Sequence, residues 1–515
     1  MKASTILNFK PSPEILLLAL FNLVIHLVFG TNLEYHRDEL LYFSLGMHPD
    51  AGYATVPPLI GWIAMVMQKL FGYSVFAVRL FPAILSSIMI ILAGELTKEL
   101  GGSRYAVFLS AVGLTISVFF QRTYLLFQPV HTEVFLWTLA IYLLVKYINS
   151  SKDRYLILFG IISGLTLLNK YLGIILYITL LVVVPFTEHR LVFIKRAFWI
   201  GIAAGILVFS PNLIWQISRD FPVFRHMGEL YDTQLVHMDV KTFLIEQLMM
   251  PFAGSVFTVA GLIYLMSRKK AGKFWFLGLT SAGVILALLL LKGKSYYTLG
   301  VFPLLICAGA VAYEKWITSG LIRVLLPIVL IILTIPVLPM GLPVYDKEGL
   351  KIYFSVLDEK YGIDQGRRFE DGSIHSLPQD YADMLGWEEL TAITDKAYRA
   401  VEDKKACFIY CENYGQAGAI TVIGKKYGLP EAVCFSESFG YWYPEIFVPD
   451  ITSLIYINDE LGEDVAWLFQ NITEVGYITD PDAREYKTTV WLCRDPRDSF
   501  NKFWTERLRE FREPN

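Results

Sequence analysis

Residues 131–148 read HTEVFLWTLAIYLLVKYI, an apolar run with one glutamate, Glu133, close to its start. A helix rises about 1.5 Å per residue, so about 20 mostly apolar residues cross the hydrocarbon core of a bilayer. An ionisable residue within such a run is costly unless it faces the protein interior or water. The stretch is therefore predicted to be a membrane span whose acidic residue faces the interior of the protein.

The composition of the whole chain agrees with a membrane location. Of its 515 residues 54% are apolar and 18% are charged, and the mean hydropathy is +0.46. A soluble domain of this size could not bury so much apolar surface. The net charge of −3 gives no reason to expect a nucleic-acid partner, and five cysteines exclude a dense disulfide scaffold.

Other apolar runs predict a polytopic α-helical membrane protein with about eleven spans. The segment 57–72, PPLIGWIAMVMQKLFG, is shorter and is predicted to lie along the membrane interface. The N-terminal run lacks a small-residue cleavage pattern and is interpreted as an uncleaved first helix. The predicted spans are 14–31, 79–97, 105–121, 131–148, 155–169, 171–187, 197–216, 251–267, 274–291, 296–313 and 321–339.

Lysine and arginine in the short loops predict the orientation, because cytoplasmic loops carry an excess of both. Five alternate loops are basic, and the N-terminus carries Lys2 and Lys10. The N-terminus is therefore predicted to be cytoplasmic, and the large first loop (31–78) and the C-terminal region to be outside. The basic loop residues are Lys98, Arg104, Lys152, Arg154, Arg190, Lys195, Arg196, Arg268, Lys269, Lys270, Lys273, Lys315 and Arg323.

The character of the sequence changes near residue 341, which divides it into a transmembrane domain (1–340) and a C-terminal domain (341–515). The second part has strand-like runs, ACFIYC, SLIYIND and TVWLCRD, and helix-like segments such as DVAWLFQNI. This alternation predicts a non-cytoplasmic α/β domain. The sequence leaves two alternatives for the four cysteines of this domain, disulfides or buried free thiols; they are Cys407, Cys411, Cys434 and Cys493.

Several cations lie on the outer side, where the orientation rule predicts few of them. Lys170, Lys292 and Lys294 are at predicted helix ends, and Tyr296 and Tyr297 follow the last of these. A cation at such a place can bind an anionic group near the membrane surface. The alternative is that each long side chain reaches the headgroups of the lipids. As a group, and together with Arg122 on the same side, they favour phosphate binding.

Acidic residues on the same side supply a candidate base. Asp38 and Glu39 precede the apolar run LLYF (40–43), so their carboxylates are expected to lie against a re-entering apolar face. A carboxylate there could take a proton from an acceptor hydroxyl, and Glu133 is a second acid on this side. Gln128, His131 and His226 are predicted to line the same cavity.

The order of these motifs resembles a family of membrane enzymes. The outside DE pair, then GY and PPLIGW, QPVHTEVFLWTLAIYLL, NKYLG and GKSYYTLGVFPLLICAGA occur in sequence over residues 30–315. This resembles GT-C-type glycosyltransferases, in particular the dolichyl-phosphate-mannose–protein mannosyltransferase-like and aminoarabinose-transferase-like group. The resemblance implies a GT-C-like fold and inverting transfer of a sugar from a polyprenyl phosphate to a hydroxyl of a lipid, glycan or protein on the non-cytoplasmic face, in a bacterial inner membrane.

The resemblance also implies roles for single residues. Asp38 is then the catalytic base or its partner with Glu39 beside it, and Glu133 stands where relatives often have aspartate. Lys170 matches a lysine often found after the fifth or sixth helix of relatives, and Lys292 or Lys294 with Tyr296 and Tyr297 match a GKxYY-like segment of theirs. Thr55 and Val56 depart from the family, since relatives often have an acid or a histidine before the paired prolines.

Three questions stay open in the sequence. No cofactor is expected, although a divalent metal held near Asp38 by His36 or His48 is an alternative; two histidines twelve residues apart match no known ligand spacing. A transporter or flippase of lipid-linked sugars is a rival function, but such proteins carry charges at the bilayer midplane and internal repeats. A membrane-anchored assembly protein, acting through its C-terminal domain, is a second rival.

Overall fold

The computed structural model describes residues 9, 11–443, 446–497 and 500–512; Lys2 and Lys10, on which part of the orientation prediction rests, lie outside them. The described chain is mainly helical and has a single four-stranded sheet. Its α-helices are α1 (Pro13–Phe29), α2 (Arg37–Leu45), α3 (Leu59–Phe71), α4 (Val75–Glu99), α5 (Arg104–Thr115), α6 (Val118–Leu125), α7 (Pro129–Ser150), α8 (Asp153–Asn169), α9 (Ile174–Val183), α10 (Arg196–Ser218), α11 (Pro222–Thr233), α12 (Val240–Met249), α13 (Ser255–Met266), α14 (Arg268–Ala271), α15 (Phe276–Leu290), α16 (Phe302–Trp316), α17 (Gly320–Thr334), α18 (Lys347–Tyr361), α19 (Gln379–Ala382), α20 (Trp387–Arg399), α21 (Tyr414–Val422), α22 (Glu463–Leu468) and α23 (Phe500–Arg512).

Many of these helices have the length and composition of membrane spans. Among the described residues five are long and apolar enough, and up to eight if each of three bent helix pairs counts as one span. Three shorter apolar helical segments are Pro13–Phe29, Leu59–Phe71 and Tyr171–Phe186. A helical membrane fold is therefore confirmed, whereas the number of eleven spans and their orientation stay predictions.

The described residues form two compact units. The predicted boundary near residue 341 placed the whole first loop in the transmembrane domain, whereas most of this loop belongs to the second unit. The cause is local packing, since α2 of the loop lies against α21 of the C-terminal region. The first unit takes residues up to Val28, Val56–Leu59 and Leu80–Leu342; the second takes Phe29–Thr55, Ile60–Arg79 and the residues from Pro343 onward.

Small residues let the helices of the first unit approach closely. A Cβ built on Gly160 of α8 would overlap the carbonyl oxygen of Gly201 in α10, and one built on Gly164 would overlap that of Gly205. Two glycines four residues apart on each helix thus form a contact along one face. This packing fixes α8, whose C-terminal end carries Lys170.

The sheet of the second unit has four strands in the order β1-β2-β4-β3. β1 pairs with β2 in parallel, and β4 pairs antiparallel with both β2 and β3. Three strands lie where the sequence predicts them. The strands are β1 (Cys407–Cys411), β2 (Ser453–Asn458), β3 (Phe469–Tyr477) and β4 (Thr489–Pro496).

One prediction for this region is wrong in part. The segment DVAWLFQNI was expected to be helical, but α22 ends at Leu468 and Phe469 begins β3. Phe469 is buried while Gln470 and Asn471 are exposed, and the strand pairs with β4 from Phe469 to Tyr477. Pairing with a neighbouring strand overrides the local helical pattern, because strand formation depends on its partners.

The cysteines of the second unit are all free. Cys407, Cys411, Cys434 and Cys493 are buried and form no disulfide, as is also true of Cys307 in the first unit. Burial raises the pKa of the thiol of Cys407, Cys434 and Cys493 to about 12 in each case. They are therefore packing residues in this structure, which agrees with the thiol alternative.

Candidate functional site

A carboxylate and an ammonium group meet in the first unit. Lys170 Nζ donates to Glu133 Oε2 at 3.1 Å. The Glu133 side chain is 3% exposed and that of Lys170 is 23% exposed, so the pair has a buried acidic end and an accessible cationic end. Glu133 Oε1 is buried and has no hydrogen-bond partner. The acid therefore retains capacity for another donor.

Two aromatic rings complete this cluster. Lys170 Nζ lies 4.6 Å from the ring centre of Tyr297 and 5.4 Å from that of Tyr296. The two rings are perpendicular, with centres 4.8 Å apart. A cation over aromatic faces is held by the ring quadrupoles. We call Glu133, Lys170, Tyr296 and Tyr297 the lysine cluster; its four members were all predicted from the sequence.

Three segments position the lysine cluster. Glu133 is in the first turns of α7, and Lys170 follows α8 in an extended conformation. Asn169 Nδ2 donates to the carbonyl of Pro129 at 2.9 Å, which ties the end of α8 to the start of α7. The tyrosines lie in a 3-10 segment, Ser295–Val301, in which Gly300 packs directly on a ring of α7.

The other predicted site residues of the first unit differ in how deeply they are buried. His131 is fully buried between aromatic rings of Phe81, Tyr124 and Phe127, and shares a hydrogen bond of 2.8 Å with the Thr132 hydroxyl. It is thus a packed side chain rather than a wall of an open cavity. Arg122 in α6 and Gln128 before α7 are half-buried.

Lys292, a predicted phosphate ligand, contacts a tyrosine of α11. Lys292 Nζ lies 5.9 Å from the ring centre of Tyr231 in that helix, and Lys292 itself has a positive φ of 55°. His226 of α11 is half-buried, and this burial lowers its pKa. Lys294 is half-buried and immediately precedes the 3-10 segment of the tyrosines.

In the second unit, Asp38 lies at the start of α2. Tyr414 donates its hydroxyl to Asp38 Oδ1 at 2.9 Å, and the Arg37 guanidinium lies 4.5 Å from the centre of the same ring. Burial and the Asp38 carboxylate raise the pKa of Tyr414 far above its ordinary value. The hydroxyl therefore stays protonated and acts as the donor.

Glu39, the neighbour of Asp38, has a different environment. It is 0% exposed and forms an ion pair with buried Arg79, whose Nε lies 3.1 Å from both carboxylate oxygens. It also accepts from the backbone N–H of His36 at 2.9 Å, completing a capping box at the start of α2. These contacts are architectural, so a catalytic role for Glu39 is not carried further.

The histidines proposed as metal ligands have other partners. His36 caps α2, accepting from the Asp38 N–H at its Nδ1, and its Nε2 is 3.6 Å from Asp380. His48 stacks on Trp442 and lies 2.6 Å from Glu431. In the part of the chain that the structure describes, no group of three His, Cys, Asp or Glu residues is arranged to hold a metal ion.

Arg79 and Tyr414 are important residues that the sequence did not indicate. Arg79 lies at the start of a predicted span, where an arginine usually reaches the lipid headgroups at the membrane interface. Tyr414 is in NYGQAGAITV, a segment that follows a predicted strand and lacks the G-x-G-x-x-G spacing of a dinucleotide site. An arginine in an apolar run is a signal for a buried acidic partner.

Comparison with known proteins supports the resemblance inferred from the motifs. Residues 55–215 match the model of the family described as dolichyl-phosphate-mannose-protein mannosyltransferase. The chain is 25% identical over 213 residues to lipid A galacturonosyltransferase RgtD of Rhizobium johnstonii, covering 38% of this chain and 41% of that protein. It is 30% identical over 114 residues to a protein of Aquifex aeolicus, covering 22% of this chain and 23% of that one.

The fold is similar to that of a protein of known structure. The structure of ArnT from Cupriavidus metallidurans bound to undecaprenyl phosphate matches with a TM-score of 0.63 and 12% identity, over 93% of this chain and 97% of that one. The predicted resemblance to GT-C-type glycosyltransferases is therefore confirmed. The chain matches less than half the length of either sequence relative.

Proposed function

We propose that the protein is an inverting glycosyltransferase that moves one sugar from a polyprenyl-phosphate donor to a hydroxyl acceptor on the non-cytoplasmic face of a bacterial inner membrane. The observation that carries this proposal is the lysine cluster, an accessible cation fixed between a buried acid and two aromatic rings. Its relation to membrane glycosyltransferases and its ArnT-like fold give independent support.

The lysine cluster suits a lipid phosphate. Lys170 has three N–H donors and spends one on Glu133, so it can donate to a phosphate oxygen as well. Glu133 fixes the ammonium group in place, and we assign it this positioning role instead of acid catalysis. Tyr296 and Tyr297 offer aromatic faces to the sugar or the lipid, and Arg122, Lys292 and Lys294 are further candidate phosphate ligands.

Asp38 is the proposed base. In the reaction the acceptor oxygen attacks the anomeric carbon, its proton passes to the Asp38 carboxylate, and the bond from carbon to phosphate oxygen breaks. The polyprenyl phosphate leaves with the bonding electron pair. Attack from the face opposite the leaving group inverts the anomeric configuration. The phosphate is already a competent leaving group, so no strong acid is required.

The acceptor is proposed at the level of its chemistry, as a hydroxyl of a lipid, glycan or protein. The relative RgtD acts on lipid A by its name. A lipid acceptor is therefore the first to be tried, and the sugar is to be found by trying several donors.

The test is a transfer assay with purified full-length protein, radiolabelled undecaprenyl-phosphate sugars and membrane lipid acceptors. We expect transfer with one donor, and a loss of at least about 100-fold in Asp38→Asn, because the variant cannot take the acceptor proton. Unchanged stability of the variant would show that it is folded. The proposal is wrong if no donor gives transfer; movement of a labelled lipid-linked sugar across vesicles would then support the transporter.

A further inference from the structure

Asp38 is held by a residue far away in the sequence. The hydroxyl of Tyr414, 376 residues from Asp38, donates to its Oδ1 at 2.9 Å, and both residues belong to the second unit. A hydrogen bond to an ionised acceptor is stronger than one between neutral groups and restricts the rotation of the carboxylate. The C-terminal region thus contributes directly to the environment of the proposed base.

The ring of Tyr414 is itself fixed. Arg37, the residue next to Asp38, places its guanidinium 4.5 Å from the centre of the ring. Asn413 caps α21 by accepting from the N–H groups of Gly415 and Gln416 at 2.9 and 3.1 Å. Tyr414 is the first residue of this helix, so the cap fixes the backbone that carries its side chain.

Close packing holds α2 and α21 in register. A Cβ built on Gly418 would lie 2.8 Å from the Cβ and 2.9 Å from the carbonyl carbon of Leu40 in α2. A Cβ on Gly415 would lie 2.7 Å from the Cγ of Arg37. The two helices therefore approach closely at glycine positions, and a larger residue at Gly418 would have to displace the backbone of Leu40.

A second set of contacts anchors α21 to the rest of the unit. Asn413 Nδ2 and Gln416 Nε2 both donate to the carboxylate of Glu485, at 3.2 and 2.7 Å to their nearer oxygens. Glu485 also accepts from the Thr488 hydroxyl at 3.0 Å. The start of α21 is thus fixed by side chains from the segment before β4 as well as by α2.

We infer that Tyr414 is a positioning residue, which orients the Asp38 carboxylate toward the acceptor hydroxyl. This inference rests on the proposed function, in which Asp38 receives the proton of the acceptor hydroxyl. The positioning role belongs to the hydroxyl, which donates to Asp38. The ring packs against Arg37 and would still do so without the hydroxyl. Through Tyr414, the C-terminal region would thus orient the proposed base, in addition to any part in binding the acceptor.

The experiment compares Tyr414→Phe with Tyr398→Phe. Tyr398 is a suitable control because a lysine, Lys404, lies 5.3 Å from its ring centre in the same unit. In Tyr414→Phe we expect kcat to fall about tenfold with an unchanged KM for the donor, because the carboxylate has lost the hydrogen bond that orients it. The control should keep wild-type values.

The thermal midpoint of Tyr414→Phe should equal that of wild type, which separates a loss of orientation from a loss of folding. An unchanged kcat in this variant, in a protein whose wild type transfers sugar, would overturn the inference alone. Absence of transfer by the wild type with every donor would overturn the proposed function and this role together.

Discussion

Two acid–cation pairs in different units of the protein differ in how completely their hydrogen bonds are satisfied. Glu39 and Arg79 are 0% and 4% exposed, and Arg79 also donates to the carbonyls of Gly30 and Glu34. In the pair of Glu133 and Lys170, the acid has a buried oxygen without a partner and the lysine is 23% exposed.

This difference separates architecture from a site. A buried pair with many additional hydrogen bonds holds a particular chain conformation, and here it fixes the loop that precedes α2. A pair with an accessible cation can bind an additional anion. An acid and a cation can thus either stabilise the fold or form a binding site. The number of their donors and acceptors that remain without a partner indicates which of the two applies.

The largest expected effect on stability is that of Arg79→Met. Removing this cation takes away the ion pair of the buried Glu39 carboxylate with Arg79, which lowers the free energy of unfolding by about 3–5 kcal/mol. The measurement is thermal or chemical unfolding of the purified protein. Arg399→Met is the control, because Arg399 is 71% exposed in its ion pair with Asp395 and its loss should cost less than about 1 kcal/mol.

Arg79→Lys sharpens this test. A lysine carries the same charge but lacks the planar fork that contacts both oxygens of Glu39 and the carbonyls, so we expect it to recover only part of the lost stability. Equal stability of wild type and Arg79→Met would contradict the architectural interpretation of the pair.

The smallest expected effect is at a more exposed pair. His48 and Glu431 are 28% and 29% exposed, and the hydrogen bond from His48 lowers the pKa of Glu431 below its ordinary 4.5. The resulting stabilisation is complete above the unfolded pKa and is lost as pH falls through the lower folded pKa. For so exposed a pair it is worth roughly 0.3–1 kcal/mol.

Glu431→Gln tests this value. Between about pH 5 and pH 3 the thermal midpoint of wild type should decrease more than that of the variant, since glutamine has no proton to gain in this range. Identical slopes for both proteins would show that the contact contributes nothing to folding.

Local sequence patterns singled out the four members of the lysine cluster as candidate site residues, but they did not predict the contact between Glu133 and Lys170. Glu133 interrupts an apolar run, Lys170 violates the charge rule, and Tyr296 and Tyr297 accompany two further outside lysines. The pattern also gave the helical fold and three of the four strands. These features are local, so they are visible without knowledge of the packing.

The missed features depend on contacts between distant residues. Arg79 reaches Glu39 across 40 residues and Tyr414 reaches Asp38 across 376. Sequence periodicity indicates which face of a helix is buried but not what covers it. For the same reason the roles of Asp38 and Glu39 could not be told apart in the sequence, although the structure gives them entirely different partners.

The most direct test of the lysine cluster is the binding of undecaprenyl phosphate to wild type, Lys170→Met and Glu133→Gln. Lys315→Met is the matched control, since Lys315 also lies near a tyrosine ring, 5.0 Å from the centre of Tyr264. We expect at least about tenfold weaker binding in Lys170→Met, or about 1.4 kcal/mol, a smaller loss in Glu133→Gln and no change in the control. Wild-type affinity in Lys170→Met would show that Lys170 does not bind the phosphate.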